Sequence, residues 1–201
     1  MKPFLFLLAF SAFGMLPATA QETVKVDAKD LKTAGVETPQ FQATNVGDKR
    51  WRPKTWLELD LEFDVKLAQA LGGRNGSLES ITVNYYVAFS EKTSDGKTQY
   101  IKGTFNYSDI PASETCHALA FVSPATLRRI LKRDNFTASS DVQGWGYEIS
   151  VDGKVVKGGT STGTTKWWES PSVVAIEGAL LAKKDTPFSV LWGDYDVNVK
   201  K

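Results

Sequence analysis

The chain has one cysteine and one histidine in 201 residues, the neighbours Cys116 and His117. That scarcity excludes much at the outset. A lone cysteine forms no disulfide within the chain, so stability has to come from a packed core. A zinc site of histidines and cysteines is all but excluded by the same count. Side chains adjacent on a strand leave opposite faces, so Cys116 and His117 do not form a thiolate pair. Cys116 reads as a small buried hydrophobe and His117 as a surface or rim residue. There is no Gly-x-Ser-x-Gly elbow and no His-Glu-x-x-His motif, and the turn-rich run Gly72 to Ser77 lacks the lysine of a phosphate loop. The expectation is a chain without catalytic residues, metal or cofactor, and hence not an enzyme. Paired carboxylates could still hydrolyse glycosides, and convergence of such a pair in one deep pocket is what would mark that activity.

A charge excess is also missing. The first 20 residues hold one basic residue, Lys2, so residues 21–201 carry 23 basic against 23 acidic side chains. Such a balance argues against nucleic acid as a partner. Only one apolar run is long, Phe4 to Leu16, and it is too short for a comfortable membrane span. Preceded by Lys2 and followed by Pro17-Ala18-Thr19-Ala20, it reads as a signal peptide over residues 1–20 of an exported, periplasmic, outer-membrane-associated or secreted protein. Residues 21–54 are polar, with Pro39 and Pro53, and form a leader or an N-terminal edge strand around Val36 to Ala43. Lys49 to Lys54, four basic residues around Trp51, reads as a solvated entry to the first strand.

Residues 55–201 form the expected β-sandwich domain. Leu57, Leu59, Leu61, Phe63 and Val65 alternate strictly with Glu58, Asp60, Glu62 and Asp64, so an apolar side faces a core and an acidic side faces water or a cationic partner. The acidic set, with Asp194 and Asp196, could offer calcium ligands. Carboxylates two apart on a strand are, however, about 6.5 to 7 Å apart, too extended for a compact cage. Ile81 to Phe89 and Tyr100 to Tyr107 alternate likewise around the turn Ser94-Asp95-Gly96-Lys97 and predict a hairpin. Thr115 to Val122 is a short apolar strand. Ser123-Pro124 caps one helix, Ala125 to Arg133, with Leu127, Ile130 and Leu131 on its apolar stripe. Val142 to Val151 and Val155 to Gly158 flank the turn Asp152-Gly153-Lys154, and Val173 to Leu181 is a last strand. The pattern predicts a mainly β fold, an immunoglobulin-like antiparallel β-sandwich with one short helix, with a closed barrel as competitor.

Six tryptophans suggest binding surfaces. Trp145, Trp167 and Trp168 are the candidate ligand or partner residues. Trp167 and Trp168 lie beside the polar loop 159–166, where one ring is open to stack on a sugar, or where one fills the core and the other covers its edge. The C-terminal run Thr186-Pro187-Phe188 through Trp192-Gly193-Asp194-Tyr195 resembles the tails of small exported proteins of verrucomicrobial gut bacteria, including one encoded among type IV pilus-associated genes. That resemblance covers about fifteen residues and implies an immunoglobulin-like sandwich related to pilus-like proteins, with no known catalytic residues. This chain lacks the early glutamate of a pilin helix, so an accessory or envelope protein fits better than a fibre subunit. In elementary terms, Pro187 ends the strand pattern and Phe188, Leu191 and Trp192 tack the tail onto the sandwich. The expected function is non-enzymatic: contacts with protein partners in the cell envelope through sheet edges and aromatic loops. Glycan binding through the exposed tryptophans is the alternative.

Overall fold

The computed structural model describes residues 23–200 apart from 42, 43, 46, 48, 164 and 165. The expected signal peptide lies outside the described residues. In chain order the strands are β1 (Val24–Ala28), β2 (Lys32–Glu37), β3 (Thr55–Leu67), β4 (Ser77–Lys92), β5 (Thr98–Pro111) and β6 (Cys116–Val122). Helices α1 (Pro124–Leu131) and α2 (Ala138–Asp141) follow. Then come β7 (Val142–Val151), β8 (Lys154–Thr160), β9 (Val173–Glu177), β10 (Leu180–Ala182) and β11 (Asn198–Val199).

They form two sheets. The first runs β1-β3-β6-β10, with β2 also paired to β3, and the second runs β11-β5-β4-β7-β8, with β9 also on β5. This is the immunoglobulin-like β-sandwich that the alternation predicts. Leu57, Leu59, Leu61, Phe63 and Val65 of β3 are all buried, as are Ile81, Val83, Tyr85, Val87 and Phe89 of β4. Burying each such side chain contributes about 1.5–3 kcal/mol, so the two inner faces supply the main driving force for stacking the sheets. Polar ties cross the same interior. The Tyr85 and Tyr107 hydroxyls lie 3.0 Å apart and donate to the carbonyls of Ala118 (3.2 Å) and Leu119 (3.1 Å) on β6. Two phenols of the second sheet thus satisfy backbone groups of the first where water is excluded.

The local turn chemistry also holds. Ser123 caps α1 by accepting from the Thr126 amide at 3.2 Å, and Leu127, Ile130 and Leu131 are buried. Asp152 and Gly153 both take positive φ (49° and 75°) in the β7–β8 hairpin, as a tight turn of its hand requires.

Three expectations need correction. The helix ends at Leu131 instead of Arg133, with Lys132 in the left-handed region, and it is not alone. The four-residue α2 was invisible to periodicity because it is one turn long. Its Asp141 is buried, accepts from the Thr137 amide at 2.8 Å and pairs with Arg133. The last strand, read as Val173 to Leu181, is two strands in different sheets. β9 runs parallel to β5, the one parallel pair in an otherwise antiparallel sandwich among the described residues, and the chain then turns at Gly178 (φ 67°) and joins β6 as β10. Leu180 packs so close to β5 that a Cβ on Gly103 would lie 2.6 Å from it. Finally, residues 24–37 contribute β1 and β2, both hydrogen-bonded to β3, and β2 lies earlier than the edge strand placed around Val36 to Ala43.

Candidate functional site

Alternation along β3 turns Glu58, Asp60, Glu62 and Asp64 to the outer face of the first sheet, and the fold covers this face with its own chain. Glu62 pairs with Lys29 and Lys32, and Asp64 accepts from the Thr115 hydroxyl at 2.9 Å. Residues 183–197 cover the part around Asp60. After β10 the chain makes a 3-10 turn at Lys183–Asp185, where the Thr186 hydroxyl donates to the Lys183 carbonyl at 2.7 Å and accepts from the Phe188 amide at 3.2 Å. That turn drives Phe188 into the sheet. Its ring is buried, stacked on Phe121 with centroids 4.8 Å apart and edge-on to Trp56 at 5.7 Å.

A second fastening is ionic. Lys183 is buried, and its Nζ donates to Asp196 and, at 3.0 Å, to the Trp192 carbonyl. The third centres on Asp60, also buried, whose carboxylate accepts from the Tyr195 hydroxyl at 2.8 Å and meets His117 Nδ1 at 2.8 Å. The His117 ring lies under that of Tyr195, centroids 4.1 Å apart. His117 is therefore not the surface or rim residue expected: its side chain keeps 15% of its exposure, because the tail lies over it. The acidic face does not wait for water or a foreign cation, since Lys29, Lys32, Thr115, His117 and Tyr195 of the same chain serve most of it.

Glu58 is the exception. Among the described residues its side chain makes no hydrogen bond and no ion pair. It lines a cavity of about 220 Å³ with Leu119, Trp192 and Tyr195. Partial burial raises its carboxyl above the ordinary value, helped by the neighbouring carboxylates of Asp60 and Asp196 and opposed by Lys183. Partial burial and the hydrogen bond to Asp60 likewise push the Tyr195 phenol upward. This cluster braces a surface. Asp60 and Asp196 are engaged by Tyr195, His117 and Lys183, and Glu58 is the one carboxylate among the residues that line the cavity. Cys116, on the other face of β6, is buried, and burial pushes its thiol up to about 11, so it stays protonated at neutral pH.

The candidate tryptophans sit elsewhere and do not share one surface. Trp168 is buried on the outer face of the second sheet, stacked on Tyr86 at 4.0 Å with rings 4° from parallel. Its place exists because residue 146 is glycine: a Cβ there would lie 2.2 Å from the indole. Trp167 meets Trp168 and Tyr100 edge-on, centroids 5.5 Å from each. Nearby, Tyr86 donates to Glu148 at 2.9 Å and Lys166 pairs with the same carboxylate at 3.0 Å. One ring fills and the other covers, the plainer of the two readings of this pair. Trp145 packs against the main core on the opposite face of β7, 6.2 Å from Tyr147. Sequence reasoning did not single out Trp192 or Tyr195 as binding residues, and it weighed Glu58 only within the acidic set that could face a cationic partner or offer calcium ligands. The one signal was the terminal aromatic run itself, read as a tack for the tail.

A groove of about 700 Å³ separates two further edges, β1 and β8, and Val155 and Val156 are exposed there. Among the described residues no three His, Cys, Asp or Glu side chains are grouped to hold a metal ion, and no helix is long and apolar enough to cross a membrane.

No curated protein matches this sequence. A solved structure from the verrucomicrobium Akkermansia muciniphila matches with a TM-score of 0.77 at 24% identity, over 89% of this chain and 94% of that one, which shows the shared fold. A family model matches residues 17–201. The chain therefore belongs to the family that this model describes.

Proposed function

We propose that this is a non-enzymatic protein of the cell envelope that works by protein contact, through the surface that its C-terminal segment builds on the first sheet. The observation that carries the reading is a contrast within one segment. Phe188 and Lys183 are buried and fasten it, while Val190, Trp192 and Tyr195 stand out at 72%, 48% and 44% exposure. Large apolar and aromatic side chains held rigid yet exposed are what a binding partner buries at low entropic cost, and Trp and Tyr dominate the energetics of such surfaces. The resemblance of this same run to pilus-associated exported proteins makes a pilus-related assembly the setting to search first.

The test is capture from envelope extract of the native organism with the wild-type protein and with Val190→Asp, Trp192→Ala and Val156→Asp, the last on the β8 edge. A partner identified by mass spectrometry, bound again in purified form by wild type and Val156→Asp but lost by the other two, supports the reading. Retention by all three variants, or a glycan-array signal with no protein partner, overturns it.

A further inference from the structure

The cavity beside Glu58 has a more specific chemistry than a general contact surface. Trp192, Tyr195 and Leu119 line it together with Glu58, its one carboxylate. Three carboxylates, those of Glu58, Asp60 and Asp196, crowd this spot against one lysine, Lys183. Aromatic walls attract a cation through the negative faces of their rings, and the attraction grows as water is excluded. The Glu58 carboxylate in the lining supplies the opposite charge. We infer that this cavity, lined by Trp192, Tyr195 and the Glu58 carboxylate, binds an alkylammonium group.

A neutral ligand such as a sugar could lie on Trp192 but would leave the carboxylates unbalanced. An ammonium offsets their mutual repulsion, which adds to the partial burial that raises the Glu58 carboxyl. A metal ion fits less well, since Asp60 and Asp196 are already engaged and Leu119 and the two rings offer no ligand atoms. The cavity volume suits the head of an alkylamine and not a bulky polycation. A lysine side chain of a partner is the source that the proposed function supplies, and only this choice of source rests on that reading. A free amine is the other source.

The experiment is an NMR titration of the exported protein with n-butylammonium chloride at constant low ionic strength, following the Trp192 indole and Tyr195 ring signals. n-Butanol and methyl glucoside are the neutral comparisons, and an acetylated, amidated Gly-Lys-Gly peptide is the second cationic probe. Saturable shifts are expected for both cations in the millimolar range, with Glu58→Gln weakening them at least about tenfold and Trp192→Leu about fivefold. Glu58→Gln keeps size and shape, and Trp192 is half exposed, so both variants retain the fold, which their amide spectra verify. Tighter binding of the peptide than of butylammonium assigns a partner lysine, whereas equal or weaker binding assigns a free amine. Absence of saturation, equal binding of butanol or glucoside, or an unchanged Glu58→Gln titration overturns the inference. Because no protein partner is needed, this result and that of the capture experiment fail independently.

Discussion

Replacing Phe188 by alanine separates a fastened C-terminal segment from one that merely lies on the sheet. The ring is buried, stacked on Phe121 and edge-on to Trp56, and it is the one large side chain that the segment inserts fully into its own hydrophobic cluster. A buried phenylalanine cut to alanine costs about 3–5 kcal/mol, from lost transfer energy and the cavity left behind. With a urea dependence of about 2 kcal/mol per molar, the unfolding midpoint falls by roughly 1.5–2.5 M at unchanged slope. The matched control, Val190→Ala, alters a side chain that is 72% exposed and stays within about 0.5 kcal/mol of wild type. Equilibrium urea denaturation followed by circular dichroism reads both. Hydrogen exchange at the Val197 amide, which donates to the His117 carbonyl at 2.9 Å, reports directly on the segment and accelerates in Phe188→Ala. A loss below about 1 kcal/mol with unchanged exchange at Val197 would refute the claim that this ring holds the surface together.

Glu58 predicts a pH dependence whose sign follows from its raised carboxyl. Above the unfolded value of 4.5 the folded state binds more protons than the unfolded state, so stability is full below that value and is lost as pH rises through the folded pKa. Glu58→Gln escapes the loss: its melting temperature matches wild type near pH 4 and exceeds it near pH 7, and a wild type that melts higher at pH 7 contradicts the assignment. Gly146→Ala places a Cβ 2.2 Å from the Trp168 indole. The forced displacement costs about 1–3 kcal/mol and alters the near-ultraviolet dichroism of the Tyr86–Trp168 stack, so an unchanged spectrum and melting curve would remove Trp168 from that site.

Much of this molecule is local information. The alternation of Leu57 to Val65 and of Ile81 to Phe89 dictates which side chains face the core, because a strand repeats every two residues. Asp152-Gly153 sets a hairpin because two positive φ angles are needed there, Ser123-Pro124 starts a helix, and Cys116 and His117 separate because neighbours on a strand must. The same alternation puts Glu58 and Asp60 outside but does not say what covers them. Asp60 meets Tyr195 across 135 positions, and Lys183 reaches Asp196 only after the chain has left β9, turned at Gly178 and changed sheets. No local period encodes such meetings, since they depend on how a non-repeating tail is laid over a sheet that must already exist. The sequence by itself therefore determined the two inner faces and most of the turns. Only the tertiary structure decided that the acidic outer face is covered by the chain's own lysines and tyrosine, that Trp167 and Trp168 are packed together, and that Trp192 and Glu58 share a cavity, because these are contacts between surfaces that folding brings together.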